Sequence, residues 1–176
     1  MADFTLRRAE LGDEYILALI GASTFLDGFL EIIPGPALVA HCQAQHNAEV
    51  YRSYLDPVNP KTACWLAEHA VTGAPIGYAL NCAPTIPGET GASDVELKRI
   101  YCMSRVHGSG AGQALMTASI AHARSLSAKR LWLGTYEQNH RAIAFYKRNG
   151  FTTVGTRQFQ VGDQMFDDIV MSLVFQ

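Results

Sequence analysis

Between residues 95 and 125 the chain passes from an apolar strand pattern into a glycine run and directly on into an amphipathic helix. Few folds accommodate that order. Val95–Met103 reads as a strand, and Arg105-Val106-His107-Gly108-Ser109-Gly110-Ala111-Gly112 follows it. Ala111, Ala114, Leu115, Ala118 and Ala121 then recur at helical spacing as an inner stripe. Small residues at such a junction let backbone N–H groups converge, and the helix that follows adds unsatisfied donors and the positive end of its dipole. The product is an anion nest suited to a pyrophosphate, with a flexible linker as the plainer reading. A P-loop is excluded because no Gly-Lys-Ser/Thr follows. The dinucleotide fingerprint is excluded because the spacing is G-x-G-x-G and no acidic residue lies ~20 positions on to hold a ribose.

The rest of the chain supplies the frame. Phe4, Leu6 and Arg8 alternate as a first strand, and Asp13 precedes a helical pattern through Ile16, Leu19, Ile20 and Ser23. Pro34-Gly35-Pro36 breaks the chain, and a second helix is expected between Ala37 and Leu55. Thr62–Glu68 and Pro75–Cys82 read as a hairpin turning at Thr72-Gly73, before the strand at Val95. Leu131-Trp132-Leu133 is a short buried strand, and Asn139 caps a helix ending at Asn149-Gly150. Phe151–Val161 and Met165–Val174 close the chain as an antiparallel hairpin around Gly162-Asp163. The order β-α-α-β-β-β-α-β-α-β-β predicts an α+β fold with a mixed central sheet, in one domain over residues 1–176.

Composition excludes several function classes. A formal net charge of −2 and the absence of a long basic stripe argue against nucleic acid. No apolar run approaches the ~20 residues that span a bilayer, and Met1–Arg8 has no apolar core of a targeting signal, so a cytoplasmic protein is expected. Cys42, Cys64, Cys82 and Cys102 lie far apart without a C-x-x-C pair, which suits reduced thiols. His41 and His46 flank Cys42 at a spacing that does not put two ligands on one helical face, so no metal is expected.

Two motifs carry a family resemblance. Val95–Tyr101 followed by Arg105-x-x-Gly108-x-Gly110 resembles the Q/R-x-x-G-x-G/A signature of GNAT (Gcn5-related) N-acetyltransferases. Asn139-x-x-Ala142-x-x-Phe145-Tyr146-Lys147-x-x-Gly150-Phe151 resembles the second motif of that family, in the correct order and spacing. The resemblance covers Glu96 to the C-terminus, and the first ninety residues by element order alone. Leu131-Trp132-Leu133-Gly134-x-x-Glu137-x-Asn139 and Gly162-Asp163 look closest to bacterial spermidine/spermine acetyltransferases.

The resemblance implies an acetyl-CoA-dependent N-acetyltransferase, with acetyl-CoA as co-substrate between strands that splay apart at Ile100 and Leu133. Backbone groups of Ile100, Tyr101 and Cys102 would line the pantetheine arm, with Ile100 and Cys102 pairing to it as to an added strand. Backbone N–H groups of His107, Gly108, Ser109, Gly110, Ala111 and Gly112 would hold the pyrophosphate. The His107 side chain either joins them or faces solvent. Tyr146 matches the family's tyrosine that protonates the leaving sulfur; a core aromatic is the other reading. An alkyl ammonium with pKa ~10.4 leaves only about one nucleophilic amine in ~2,500 at pH 7, so a base is required. Glu96, a carboxylate inside a buried strand, is the candidate, acting through water; a structural pairing with Arg99 or another sheet residue is its alternative. Asn139 caps its helix and stands where it could touch the cofactor. Glu137 could meet a cationic substrate or simply solvate a helix end, and Asp27 and Glu31 could line the amine site from the first helix.

The acceptor expected is a primary amine, a polyamine or another small amine, with protein N-termini as an alternative. A non-catalytic acyl-CoA-binding module is the rival from another class. Dimers are common in the family, so a homodimer is expected.

Overall fold

The computed structural model describes residues 3–88 and 90–176. A seven-stranded mixed sheet organises them in the order β1-β2-β3-β4-β5-β7-β6. Its strands are β1 (Phe4–Arg8), β2 (Ala63–His69), β3 (Pro75–Cys82), β4 (Val95–Cys102), β5 (Arg130–Tyr136), β6 (Thr152–Val161) and β7 (Gln164–Val174). All neighbouring pairs are antiparallel except β4 with β5. The helices are α1 (Glu14–Phe29), α2 (Gly35–Gln45), α3 (Ala48–Leu55), α4 (Ala111–Ser125) and α5 (His140–Arg148). None of them is long and apolar enough to cross a membrane among the described residues.

The α+β plan expected from the sequence is therefore present, with one helix more. The helix expected between Ala37 and Leu55 is two, because His46 leaves helical geometry and Asn47 starts afresh, its side chain accepting from Val50 N–H at 3.0 Å. That is an N-cap in the ordinary sense, and it turns the chain so that Tyr51 packs inward, fully buried. Two other details differ. Asp13 occupies the cap position of α1, but its carboxylate binds the Arg7 guanidinium at 2.7 Å and the Glu10 N–H at 2.9 Å instead of the helix end. The buried faces of α1 and α4 are rotated from those expected: Leu17, Ile20, Gly21, Thr24 and Phe25 face inward on α1, and Leu115, Met116, Ser119 and Ala123 do so on α4, where Ala121 is exposed.

The sheet separates two apolar layers. On one face, α4 and Tyr146 of α5 pack with Val95, Leu97, Leu131, Leu133 and Phe151. On the other, α1 and α3 cover Leu66, Tyr78 and Leu80 with Leu17, Ile20 and Tyr51. Two irregularities of β4 decide which side chains reach which layer. Leu80 opposes Arg99 while Asn81 opposes Leu97, so Lys98 is an extra residue, a β-bulge. A regular strand would set Arg99 and Tyr101 on the side of Leu97; the bulge turns them over to join Glu96 on the side of α1 and α3. The second irregularity is that β4 and β5 pair only at Val95↔Leu131 and Glu96↔Trp132, after which the two parallel strands part.

His46 reports on the integrity of the α1–α3 layer. Its ring lies 2.8 Å from the Tyr51 hydroxyl and packs near Phe25. Burial, with the charge of Arg99 and then His41 adding to it, pushes its pKa down to about 3. A histidine neutral in the fold but titrating near 6.5 when unfolded stabilises the protein above about pH 6.5, and each pH unit below that costs about 1.4 kcal/mol. His41 and His122 are shifted in the same direction by burial. Urea midpoints should therefore fall steadily from pH 6.5 toward pH 4, and His46→Gln should flatten that slope. An equal slope in the variant would remove His46 from the account.

Candidate active site

Where β4 and β5 part, the middle of the sheet holds an edge. Met103 N–H donates to Ile76 O at 2.9 Å, and ladder alternation then gives Tyr101 and Arg99 the other bonds to β3. Ile100 and Cys102 direct their backbone groups into the gap instead, the two positions that the sequence marked for strand-like pairing with a ligand. Cys102 O already accepts from His107 Nε2 at 3.1 Å. The Cys102 thiol, which burial pushes up to about 11, stays protonated and is no nucleophile at neutral pH.

The edge leads into the glycine turn. Ser104–Val106 forms one 3-10 turn, held from α1 by Asp27, whose carboxylate accepts from Ser104 N–H at 2.7 Å and from its hydroxyl at 3.1 Å. Gly108 and Gly110 then take φ values of 85° and 96°, which side-chain-bearing residues rarely adopt. This lets the chain turn tightly into α4. His107 N–H and Ser109 N–H close local turns, and Ala111 N–H meets the Ser109 hydroxyl at 3.3 Å. The N–H groups of Gly108, Gly110, Gly112 and Gln113 have no intramolecular acceptor among the described residues. They converge at a helix N-terminus, the arrangement that binds phosphate. No carboxylate of the turn competes for them, and Arg141 of α5 reaches His107 Nδ1 and brings a guanidinium to the same place. Burial and the Arg141 charge both lower the His107 pKa, so its ring is neutral and donates through Nε2. The residues present fit a pyrophosphate and a strand-like arm.

Tyr146 projects from the buried side of α5 into the α4 layer, between Phe145 and Phe151. Burial, with Tyr101 adding to it, pushes its phenol well above 10, so it keeps its proton. Asn139 caps α5 by accepting from Ala142 N–H at 3.1 Å. Glu137 is exposed at the end of β5, and Glu31 is exposed beyond α1.

The face under α1 and α3 carries the remaining charge. Glu96 is buried at 2 % exposure, and its Oε2 accepts from Thr85 N–H at 2.5 Å and from the Thr85 hydroxyl at 2.9 Å. Lys98 donates to the same hydroxyl at 2.8 Å, so Thr85, not Arg99, is the partner of Glu96. Across the gap, Arg157 of β6 lies over Gly134 of β5, where any Cβ would overlap its guanidinium, and pairs with Asp168 of β7 at 3.0 Å. Burial raises the Asp168 pKa against the lowering effect of Arg157. Arg157 and Asp168 escaped the sequence reading, since no motif includes them; Arg99 lies inside the first motif and was weighed only as a partner of Glu96, because the bulge that brings it to this face has no local signature. Arg141, two residues after Asn139 inside the second motif, could have been found by spacing. A cleft of about 530 Å³ lined by Asp94, Arg130 and Trp132 lies at the other end of β4 and β5, away from the turn.

The sequence profile of the Acetyltransferase (GNAT) family matches residues 28–151. An uncharacterised N-acetyltransferase of Mycobacterium tuberculosis is 34% identical over 155 residues, covering 88% of this chain and 93% of that protein. Among solved structures, the PaiA N-acetyltransferase of Thermoplasma acidophilum in complex with coenzyme A superposes with a TM-score of 0.78 at 15% identity, over 98% of this chain and 99% of that one. The ribosomal-protein-S18-alanine N-acetyltransferase of Escherichia coli superposes with a TM-score of 0.68 at 18% identity, over 98% and 94%. At such identities the two structures share the fold.

Gly112 tests the nest without backbone strain. A Cβ there meets nothing nearer than Cys102 Sγ at 3.9 Å. An aspartate in the first turn favours the helix itself through its dipole. Gly112→Asp should thus melt no lower than the wild type, yet bind coenzyme A at least tenfold more weakly by calorimetry, because its carboxylate occupies the phosphate position. Undiminished affinity would show that the phosphates lie elsewhere.

Proposed function

The chain belongs to the GNAT acetyltransferase family, and from that premise we propose that it acetylates the nitrogen of a small primary amine. One observation carries the reading: the parting of β4 and β5 beyond Glu96, which opens the sheet beside a phosphate nest and between Tyr146 and Glu96. Acetyl-CoA supplies a thioester-activated acetyl group. Ile100 and Cys102 hold its arm along the open edge, and the N–H groups of Gly108, Gly110, Gly112 and Gln113 hold its phosphates, with Arg141 beside them.

The amine arrives from the face under α1 and α3, where Glu96 lies. Glu96 Oε2 is taken up by Thr85, and Oε1 is the oxygen that receives the amine's proton through a water molecule. Tyr146, from the opposite layer, gives its proton to the departing sulfur. Its raised pKa suits a donor that must remain protonated until the thiolate forms. Polyamines, the acceptors of the narrower resemblance, belong to the proposed class, and exposed Glu137 at the end of β5 would meet their distal charge.

Two substitutions separate these roles. Tyr146→Phe keeps the ring between Phe145 and Phe151 and should lower kcat by ~10²–10⁴-fold with little change in coenzyme A affinity. Wild-type turnover in that variant rejects the acid role.

Glu96→Gln retains an oxygen for Thr85 but cannot accept a proton. Its kcat/KM should fall at pH 7 and recover as alkaline pH supplies free amine directly. A profile of unchanged shape and height, with a lowered melting temperature, assigns Glu96 a structural role instead.

A further inference from the structure

The acceptor face holds a buried cation for which no anion is placed among the described residues. Arg99 is only 8 % exposed, and its Nη1 has no hydrogen-bond partner among the described residues. None of the ion pairs among those residues includes it. The buried carboxylates among the described residues are all committed elsewhere, Glu14 to Arg52, Asp94 to Trp132, Glu96 to Thr85 and Asp168 to Arg157. The groups around the guanidinium are aromatic and neutral. Its Cζ lies 5.2 Å from the Tyr51 ring centroid and 5.8 Å from that of Tyr54. Burial pushes the Tyr51 phenol up to about 12 and raises those of Tyr54, Tyr78 and Tyr101, so none supplies a counter-charge near neutrality. Cys64 and Cys82 are pushed up to about 12 as well and remain thiols. His46, held at about 3, is neutral too.

An arginine cannot escape this situation by losing its proton. A guanidinium taken out of water and left unpaired is costly, and cation–π contact with two tyrosines offsets only part of that cost. The bulge at Lys98 is what puts Arg99 on this face, on the same strand as Glu96 and three positions further along. The backbone span between them is ~10 Å or less, and both side chains project to one side, within reach of one small bifunctional molecule.

Building on the acetyltransferase reading, we infer that Arg99 receives a carboxylate of the acceptor, so that the substrate is an amino acid rather than a polyamine. The planar fork of the guanidinium matches a carboxylate through two parallel hydrogen bonds, and the tyrosine rings hold the fork in place. The same charge disfavours a second ammonium, which is what a polyamine would bring under α1 and α3.

The test uses the whole protein with acetyl-CoA and matched amines: a set of α- and ω-amino acids, their carboxamides, their decarboxylated counterparts, and spermidine, assayed by thiol release. The wild type should prefer the acids over their amides by at least tenfold in kcat/KM. Arg99→Met should erase that preference without altering coenzyme A affinity, and Arg99→Lys should restore part of it. Equal use of acid and amide, a preference for spermidine, or a preference that survives in Arg99→Met overturns the inference. If Arg99→Met does not fold, the wild-type comparison and Arg99→Lys still decide. A second readout needs no turnover: N-acetylated amino acids should raise the melting temperature of the wild type in the presence of coenzyme A, and their amides should not. With no amine acetylated, that shift would uphold the carboxylate site while the acetyl-transfer reading fell; its absence would overturn the site even if some neutral amine proved to be a substrate.

Discussion

A strand in the middle of a sheet normally has its backbone satisfied on both sides, and β4 does not. Past Glu96 its neighbour β5 diverges, although β5 keeps its own ladder with β7 as far as Tyr136↔Asp168. Unpaired peptide groups away from water cost as much as lost hydrogen bonds, so the gap persists because both flanking strands are anchored elsewhere. β4 is held by β3, by the Asp27–Ser104 contact and by the apolar layer beneath α4. β5 is held by β7 and by Arg157 lying over Gly134. The fold maintains an open edge that only an added strand-like group can complete. The glycine turn lies at its end because β4 runs straight into it.

The second constraint is the extra residue at Lys98. By reversing the alternation of β4 it assigns Ile100 and Cys102 to the α4 layer and Arg99 and Tyr101 to the layer under α1 and α3. The two sides of the gap thereby acquire different chemistry. The α4 side is apolar and presents backbone donors and one buried phenol. The opposite side concentrates Glu96, Arg99, Arg157 and Asp168 within a shell of aromatic rings. In the proposed arrangement a transfer reaction benefits from that division, since backbone geometry that tolerates few substitutions would hold the donor while side chains that can vary would select the acceptor.

How far the sequence was legible follows from the same division. The proposed cofactor side lies in two short continuous stretches, residues 95–112 and 139–151, where local spacing anticipates the strand, the glycine turn, the second-motif helix that carries Tyr146 and the Asn139 cap. The closing hairpin was equally plain, because Gly162-Asp163 separates two long strands. The α2–α3 break was missed because His46 and Asn47 interrupt the helical pattern without glycine or proline. The face of α4 was misjudged because alanines occur all around that helix, and Met116 and Ser119 settle its orientation only against the sheet. The charged face under α1 and α3 gathers residues from 51 to 168, and no periodicity links Arg99 to Tyr51 or Arg157 to Gly134. A bulge, moreover, depends on the pairing of two strands and cannot be seen in either alone.

Most of the residues that suggested a polyamine serve the frame, Trp132, which opposes Glu96, being the exception. Leu131 and Leu133 point into the α4 layer, Gly134 makes room for Arg157, Asn139 caps α5, and Gly162-Asp163 turns a hairpin. Glu137 and Asp163 are the charged residues among them, and both are exposed. Magnitude separates the two proposed recognition elements. A unit charge 4 Å from another is worth about 1 kcal/mol in water and about 4 kcal/mol at the effective dielectric of a protein site. Glu137 acts in the first regime and is further screened by salt, whereas Arg99 acts in the second. Where a buried arginine and an exposed glutamate favour opposite substrates, the buried charge has the larger leverage, and the amino-acid proposal rests on that difference.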